Sequence, residues 1–144
     1  MDLRHASFAE LCEVLSDAPC APWPGGVWRG TWLMPWPERS RAVTLLNHLI
    51  FDVTPYGIDL DRAAWWFVHP RARIARFTAS LGPSRFVASD IVRLEYAVSA
   101  LPRPLRGILY DEVKPLGPEL MLGIGAIDRA PGVGERFLFQ LQPA

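Results

Sequence analysis

Prolines and glycines divide this sequence into short segments, and this division limits which folds the chain can adopt. Fourteen prolines and eleven glycines are spread along the 144 residues rather than gathered in one linker. Proline interrupts both helices and central strands, because it lacks the backbone N–H that either structure needs. Many of the apolar segments between these residues have the length and alternation of strands, which favours a mainly β protein.

One segment near the N-terminus departs from this pattern. Ser7 and Glu10 fit the S-x-x-E capping box that starts many helices. Apolar residues then recur at helical spacing from Phe8 to Leu15. We therefore predict one short α-helix over about residues 7–17.

Strand candidates fill the rest of the chain. Val43–Val53 is apolar on both faces and fits either a strand or a helix, but its β-branched residues favour a strand. The predicted strands are Val27–Met34, Val43–Val53, Ala63–His69, Arg73–Ala79, Arg85–Ala88, Asp90–Ser99, Arg106–Lys114, Leu120–Ile127 and Arg136–Leu141.

This number of strands in 144 residues predicts a single domain over residues 1–144. Two architectures fit, an antiparallel β-barrel and a two-layer sandwich. The barrel is favoured because closure removes the unpaired edges of the sheet. A barrel of about eight strands is wide enough to hold one small ligand.

Charge and cysteine content exclude several classes of function. Fifteen basic and fifteen acidic residues give a formal net charge of zero, which argues against nucleic acid as a partner. No segment is apolar over the length that a membrane helix needs, so we expect no membrane association. Cys12 and Cys20 make no disulfide framework, and the N-terminus lacks the apolar run of a signal peptide. We therefore expect a cytoplasmic protein.

Gly26-Val27-Trp28-Arg29-Gly30 opens the first predicted strand, shortly after the helix. This motif resembles the Gly-x-Trp signature of lipocalins and the wider calycin group, and its extension is similar to the nitrobindin-type variant. The resemblance implies a calycin-like barrel for a small apolar molecule, with Trp28 closing one end against a basic residue. Nitrobindin-like barrels hold haem through a histidine near the C-terminus. No histidine follows His69 here, so we expect no cofactor.

Aromatic residues supply most of the predicted contacts to a ligand, because large flat side chains can stack on an apolar molecule. Trp28 and Trp32 share one face of the first strand. The same aromatic residues could instead only fill the core. The predicted ligand-binding residues are Trp28, Arg29, Trp32, Trp65, Phe67 and Tyr110.

Three residues are predicted as catalytic candidates. Alternation along their strands directs Tyr96 and Asp111 into the barrel as a polar pair. A buried carboxylate must be paired or its pKa rises, so such a group can act as an acid or base. His48 is the third candidate, and it neighbours Asp52 only if that segment is helical. The histidines and cysteines have no metal-ligand spacing, so no metal site is expected.

The opposite face of the Asp111 strand carries the charged residues. On the simplest interpretation Tyr110, Glu112 and Lys114 form a solvated outer face. The alternative is a polar lumen lined by these residues together with Arg93 and Glu95, which would suit an anionic or polar substrate.

Three functions are compatible with the sequence. The first is binding of an apolar small molecule such as a lipid, pigment or polyketide-like metabolite. The second is a cofactor-free isomerase, cyclase or lyase that acts on such a molecule in the same barrel. The third is an interaction module without a ligand, which would form a homodimer through an apolar face of its sheet.

Overall fold

The computed structural model describes residues 3–35, 53–130 and 133–144. A 3-10 helix, Leu3–His5, precedes helix α1, Phe8–Asp17, and a second short helix, α2, spans Arg103–Ile108. The strands are β1 (Val27–Pro35), β2 (Tyr56–Asp59), β3 (Ala64–Phe67), β4 (Arg73–Arg76), β5 (Thr78–Pro83), β6 (Asp90–Glu95), β7 (Leu109–Gly117), β8 (Leu120–Ala130) and β9 (Val133–Pro143).

These nine strands form one antiparallel sheet that curls into a nearly closed barrel. The order of neighbours is β4-β3-β2-β1-β9-β8-β7-β6-β5. The outermost strands, β4 and β5, follow one another along the chain with only Phe77 between them. Chain continuity therefore holds the two edges of the sheet near each other. The predicted mainly β barrel with a short N-terminal helix is confirmed.

The barrel interior is filled by side chains that alternate along the strands. Val113 of β7 and Gly123 of β8 are paired, and Gly123 in turn pairs with Phe139 of β9. The interior cluster of buried residues comprises Trp28, Tyr56, Ile58, Leu60, Trp65, Ala75, Phe77, Val92, Leu94, Tyr96, Val113, Met121, Phe139 and Leu141. This cluster is the core against which any ligand inside the barrel must pack.

Helix α1 packs on the outer surface of the barrel and covers part of β7, β8 and β9. Ser7 caps its N-terminus with the predicted capping box, since its side chain accepts a hydrogen bond from the Glu10 backbone while the Glu10 carboxylate accepts one from the Ser7 backbone. Leu11 and Leu15 are fully buried against Ile124 and Leu138 of the sheet. None of the described helices has the length and apolar character needed to cross a membrane.

The predicted solvated face of β7 is wrong, because Glu112 and Lys114 are both buried. Lys114 lies beneath α1, where its Nζ donates hydrogen bonds to the Leu15 carbonyl at 2.5 Å and to Ser89 Oγ at 2.8 Å. A cation at the last turn of a helix satisfies a carbonyl that has no partner within the helix. Burial lowers the pKa of Lys114, and the neighbouring Cys20 and Asp17 oppose that shift.

The alternative prediction of a polar lumen is also wrong. Arg93 pairs with Glu112, and Leu94 pairs with Asp111. Because neighbouring residues of a strand point to opposite faces, Arg93 and Glu112 lie outside the barrel while Asp111 lies inside. Arg93, Glu95, Glu112 and Lys114 therefore belong to the outer layer, and Asp111 does not.

Three predicted strands and one predicted turn need correction. Residues Arg106 to Ile108 belong to α2, because Pro102 and Pro104 favour the first turn of a helix. Residues 85–88 form a bend, not a strand, because Ser84 Oγ accepts hydrogen bonds from two following backbone N–H groups. The predicted strand Arg73–Ala79 is divided into two strands at Phe77. Residues Tyr56–Asp59 form a strand where the sequence predicted a turn.

One predicted strand and one candidate residue cannot be compared. The segment Val43–Val53, with His48, lies outside the described residues except for Val53 at its end.

Candidate functional site

A cavity of about 120 Å³ opens into the barrel interior. Its wall is predominantly aromatic and aliphatic, with Asp111 as its one ionisable carboxyl group. The lining residues are Tyr56, Trp65, Phe67, Ala75, Tyr96, Leu109, Asp111, Ala126, Ile127, Phe137 and Phe139. In another protein, an apolar cavity of about 150 Å³ contains no water and binds benzene. The volume of the present cavity is therefore close to that needed for one aromatic ring.

Two glycines of β8 shape one side of this cavity. A Cβ atom on Gly123 would lie 2.2 Å from the ring of Phe139, and one on Gly125 would lie 2.3 Å from the ring of Phe137. Each aromatic ring thus rests directly on the neighbouring strand, which only glycine allows. The two rings in turn form part of the cavity wall.

A directed chain of hydrogen bonds crosses the barrel interior. Trp65 Nε1 donates to the Tyr96 hydroxyl oxygen at 2.6 Å, and the Tyr96 hydroxyl donates to Asp111 Oδ2. Tyr96 and Trp65 are buried, and Asp111 keeps accessible surface where it lines the cavity. Tyr96 is the one hydrogen-bond partner that the described part of the chain offers to the Asp111 side chain.

The electrostatics of Asp111 follow from this arrangement. Burial raises its pKa to about 7, because the charged carboxylate is separated from water, and the hydrogen bond from Tyr96 offsets only part of that shift. Burial also raises the pKa of Tyr96 well above its usual value, and the adjacent Asp111 charge adds to the effect. Near neutral pH the pair therefore holds a neutral tyrosine beside a carboxyl group that is only partly ionised.

The structure brings together four of the predicted site residues. Tyr96 and Asp111 are in direct contact, and Trp65 joins them through its indole N–H. Phe67 lines the same cavity. Their roles in binding or catalysis stay predictions.

Two predicted tryptophans lie on the interior face without lining the cavity. Trp28 is 2% exposed and belongs to the core, where its Nε1 donates to the Gly25 carbonyl at 2.9 Å. Trp32 pairs with Phe139 and so lies on the same face of β1. These residues support the barrel rather than bound the described cavity.

Two other predicted contacts point away from the cavity. Arg29 is exposed on the outer face of β1, opposite Gly57. Tyr110 is buried on the outer face of β7, where its ring lies under the Arg85 guanidinium and its hydroxyl donates to Glu112. The position of Tyr110 next to Asp111 in the sequence places it on the opposite face of the strand.

Several lining residues escaped the sequence analysis. Tyr56 belongs to β2, whose Pro-Tyr-Gly sequence predicted a turn. Phe137 and Phe139 alternate in β9 and could have been found from their period of two. The alternation of residues along β9 does not show that Gly123 and Gly125 of β8 contact these two rings.

A second buried carboxylate lies on the outer surface of the barrel. Asp59 is 1% exposed and accepts hydrogen bonds from Arg73 Nε at 2.8 Å and from the Arg62 backbone at 3.1 Å. Burial by itself would raise the pKa of Asp59, but the bonds from the two arginines outweigh it and hold the pKa below its usual value. Asp59 thus contrasts with Asp111, which has no cationic partner among the described residues.

Acidic, histidine and cysteine side chains form no group of three that could hold a metal ion within residues 3–35, 53–130 and 133–144.

No protein-family model matches this sequence, and no curated protein matches it either. One similar solved structure is the crystal structure of a protein from Thermomonospora curvata, with a TM-score of 0.47 and 17% sequence identity over 96% of this chain and 88% of that chain.

Proposed function

We propose that this protein binds a small apolar molecule inside its barrel. The observation that carries the proposal is the cavity of about 120 Å³, whose wall is predominantly aromatic and aliphatic and includes the hydrogen-bonded pair of Tyr96 and Asp111. A predominantly apolar wall with a few convergent polar groups is the usual composition of a site for a small molecule. Aromatic contacts supply affinity, and the polar pair orients the ligand.

The hydrogen-bonding capacity of Asp111 favours a ligand with one polar group. Tyr96 occupies Oδ2, and the described residues direct no donor to Oδ1. A ligand hydroxyl or amine would satisfy that oxygen, and a ligand carbonyl would accept a bond from the protonated carboxyl group. The resemblance of Gly26–Gly30 to the calycin signature supports the same proposal, since that group of barrels carries small apolar molecules.

Narrowing the cavity is expected to abolish this binding. Ala75 lines the cavity from β4, so Ala75→Leu adds three carbon atoms at its wall. With 4-methylphenol as the probe, the native protein should bind with a Kd of roughly 0.1–1 mM, the range for a ligand of eight heavy atoms. The variant should bind at least about tenfold more weakly. Isothermal titration calorimetry measures both values.

The matched control is Ala79→Leu, which makes the same change at an exposed position of β5. It should bind the probe as the native protein does. Equal affinity in all three proteins, or no binding to the native protein, would contradict the proposal.

The ionisation of Asp111 favours a second candidate function, proton transfer to and from a bound ligand. A carboxyl group whose pKa is about 7 is suited to act as a base at neutral pH. Asp111 would take the proton from a carbon next to a ketone, leaving the enolate, and would return a proton to that carbon. This is the elementary step of a cofactor-free isomerase.

Exchange of deuterium into 1-phenylpropan-2-one tests the second candidate. In D₂O the native protein should exchange the methylene protons of this ketone faster than Asp111→Asn by roughly 10²-fold, the usual effect of a general base. Proton NMR follows the loss of the methylene signal. Equal rates with both proteins would leave binding as the function.

A further inference from the structure

Five aromatic rings follow one another along the wall of the cavity in the barrel. In the order Phe67, Tyr56, Trp65, Phe139 and Phe137, the centres of successive rings are 6.4, 6.3, 5.5 and 6.0 Å apart. All five line the cavity, and we call them the ring belt. The ring belt therefore bounds this space with π systems, whose faces carry partial negative charge.

Asp111 is the one charged group in the same wall. Among the described residues that line the cavity there is no arginine, lysine or histidine, and the other titratable groups are the phenols of Tyr56 and Tyr96. Opposite Asp111 on the neighbouring strands lie Leu94 of β6 and Gly125 of β8, which do not titrate. The carboxylate of Asp111 thus has no cation from the described part of the chain to balance its charge.

A positively charged ligand suits this wall better than a neutral or an anionic one. Burial makes the ionised form of Asp111 costly and raises its pKa to about 7, whereas a cation beside the carboxylate favours the ionised form. A cation that lies over the face of an aromatic ring is also attracted by that ring. A neutral ligand would gain only the apolar contacts and a neutral hydrogen bond, and an anion would be repelled by the carboxylate.

From the ring belt and the single carboxylate we infer that the natural ligand is a small organic amine, bound as its ammonium ion. Its N–H group donates to Asp111 Oδ1, which accepts no hydrogen bond from the described residues, and its apolar body packs against the ring belt. The inference rests on the proposed function, since it requires the cavity to be occupied, and it names the chemical class of the occupant.

Two probes of one shape test the positive charge. Benzylamine and benzyl alcohol differ in one heavy atom, and at pH 8 the amine is an ammonium ion. The native protein should bind benzylamine at least about tenfold more tightly than benzyl alcohol at this pH, because a hydrogen bond between ionised partners is stronger than one between neutral partners. Isothermal titration calorimetry gives both affinities.

The pH dependence of the two affinities provides a test that needs no variant. At pH 6 the Asp111 carboxyl group is mostly protonated and must lose its proton before it can pair with the ammonium ion. Benzylamine should therefore bind about tenfold more weakly at pH 6 than at pH 8. The affinity for benzyl alcohol should change by less than about twofold, because a hydroxyl group can donate to the carboxylate or accept from the carboxyl group.

Removing the Asp111 charge should abolish the preference. Asp111→Asn should bind benzylamine no more tightly than benzyl alcohol at either pH. Glu95→Gln is the matched control, since it removes a carboxylate from an exposed position of β6 next to the buried Tyr96. This control should keep both the preference for benzylamine and its pH dependence.

The outcomes separate the amine from the proposed function. Equal affinity of the native protein for the two probes at pH 8 overturns the amine alone, and so does a preference that is the same at pH 6 and pH 8. A preference that survives in Asp111→Asn, or that is lost in Glu95→Gln, has the same consequence. Failure of both probes to bind the native protein overturns the amine and the proposed function together.

Discussion

Asp111→Asn is expected to remove a loss of stability that the native protein undergoes as the pH rises from about 4 to 7. In the unfolded chain an aspartate ionises near pH 4, whereas in the folded protein burial raises the pKa of Asp111 to about 7. Between these values the folded state binds one more proton than the unfolded state. Its free energy of unfolding therefore falls by about 1.4 kcal/mol per pH unit, or on the order of 4 kcal/mol in total.

The asparagine variant has no such titration, so its stability should lack the fall that Asp111 causes between pH 4 and 7. Relative to the native protein, the variant should therefore gain on the order of 4 kcal/mol of stability over this interval. At pH 8 it should be more stable than the native protein by about 1–3 kcal/mol. The native protein loses on the order of 4 kcal/mol by ionising Asp111 in the folded state. The variant avoids this loss but buries an amide N–H₂ group without an acceptor, which cancels part of the gain. Urea unfolding at pH 4, 5, 6, 7 and 8 measures the difference between the two proteins.

Asp59→Asn is the control of opposite sign. The pKa of Asp59 is lowered in the folded protein, so its stabilising contribution is present above pH 4 and is lost as the pH falls. This variant should be less stable than the native protein at pH 7, and the difference should shrink in acid. An Asp111→Asn curve that runs parallel to the native curve from pH 4 to 8 would show that Asp111 ionises normally.

The prediction that succeeded best rests on the period of the strands. Along β7 the alternation of Asp111 and Val113 with Glu112 and Lys114 decides which side chains face inward, and the register with β6 preserves that assignment. Alternation thus places Asp111 inside the barrel, and the structure puts its carboxylate on the Tyr96 hydroxyl.

The failures have a common physical cause, which is the second layer outside the barrel. Alternation assigns Glu112 and Lys114 to the outer face, and the usual inference is that an outer face is solvated. Helix α1 and the bend at residues 84–89 cover this part of the sheet, and both charged groups are satisfied by partners distant in sequence. No local pattern in β7 reveals those partners, because one lies 28 residues away and the other 99.

The cavity also could not be predicted from the sequence. Its shape depends on the close contact of Phe137 and Phe139 with Gly125 and Gly123, which are brought opposite them only by the register of β8 and β9. Leu109 joins the cavity wall directly after α2, where the sequence analysis predicted a continuous strand from Arg106.

The largest loss of stability is expected from Glu112→Ala. The Glu112 carboxylate is fully buried and accepts three hydrogen bonds, from Ser84 Oγ, from the Arg85 backbone at 2.8 Å and from the Tyr110 hydroxyl at 3.0 Å. Its removal leaves these donors without an acceptor and opens a void. We expect the free energy of unfolding to fall by about 3–5 kcal/mol, measured by urea unfolding at pH 7.

Glu119→Ala is the control for this variant, because Glu119 is exposed at the turn between β7 and β8, and the change should cost less than about 0.5 kcal/mol. Ser84→Ala removes one of the three donors to Glu112 and also the acceptor of the Phe86 and Val87 backbone N–H groups, and it should cost about 1–3 kcal/mol. A loss below about 1 kcal/mol for Glu112→Ala would mean that its donors find other partners.

The same carboxylate also holds the backbone that follows Ser84. Because Glu112 accepts from the Arg85 backbone and from the Tyr110 hydroxyl, it fixes both that backbone and the ring on which the Arg85 guanidinium rests. Glu112→Gln keeps one acceptor oxygen and should fold, but its amide group faces donors and holds them less firmly. In this variant the Arg85 backbone amide should exchange with deuterium faster than in the native protein, as measured by NMR. Unchanged exchange would show that the negative charge of Glu112 is not needed to hold this backbone.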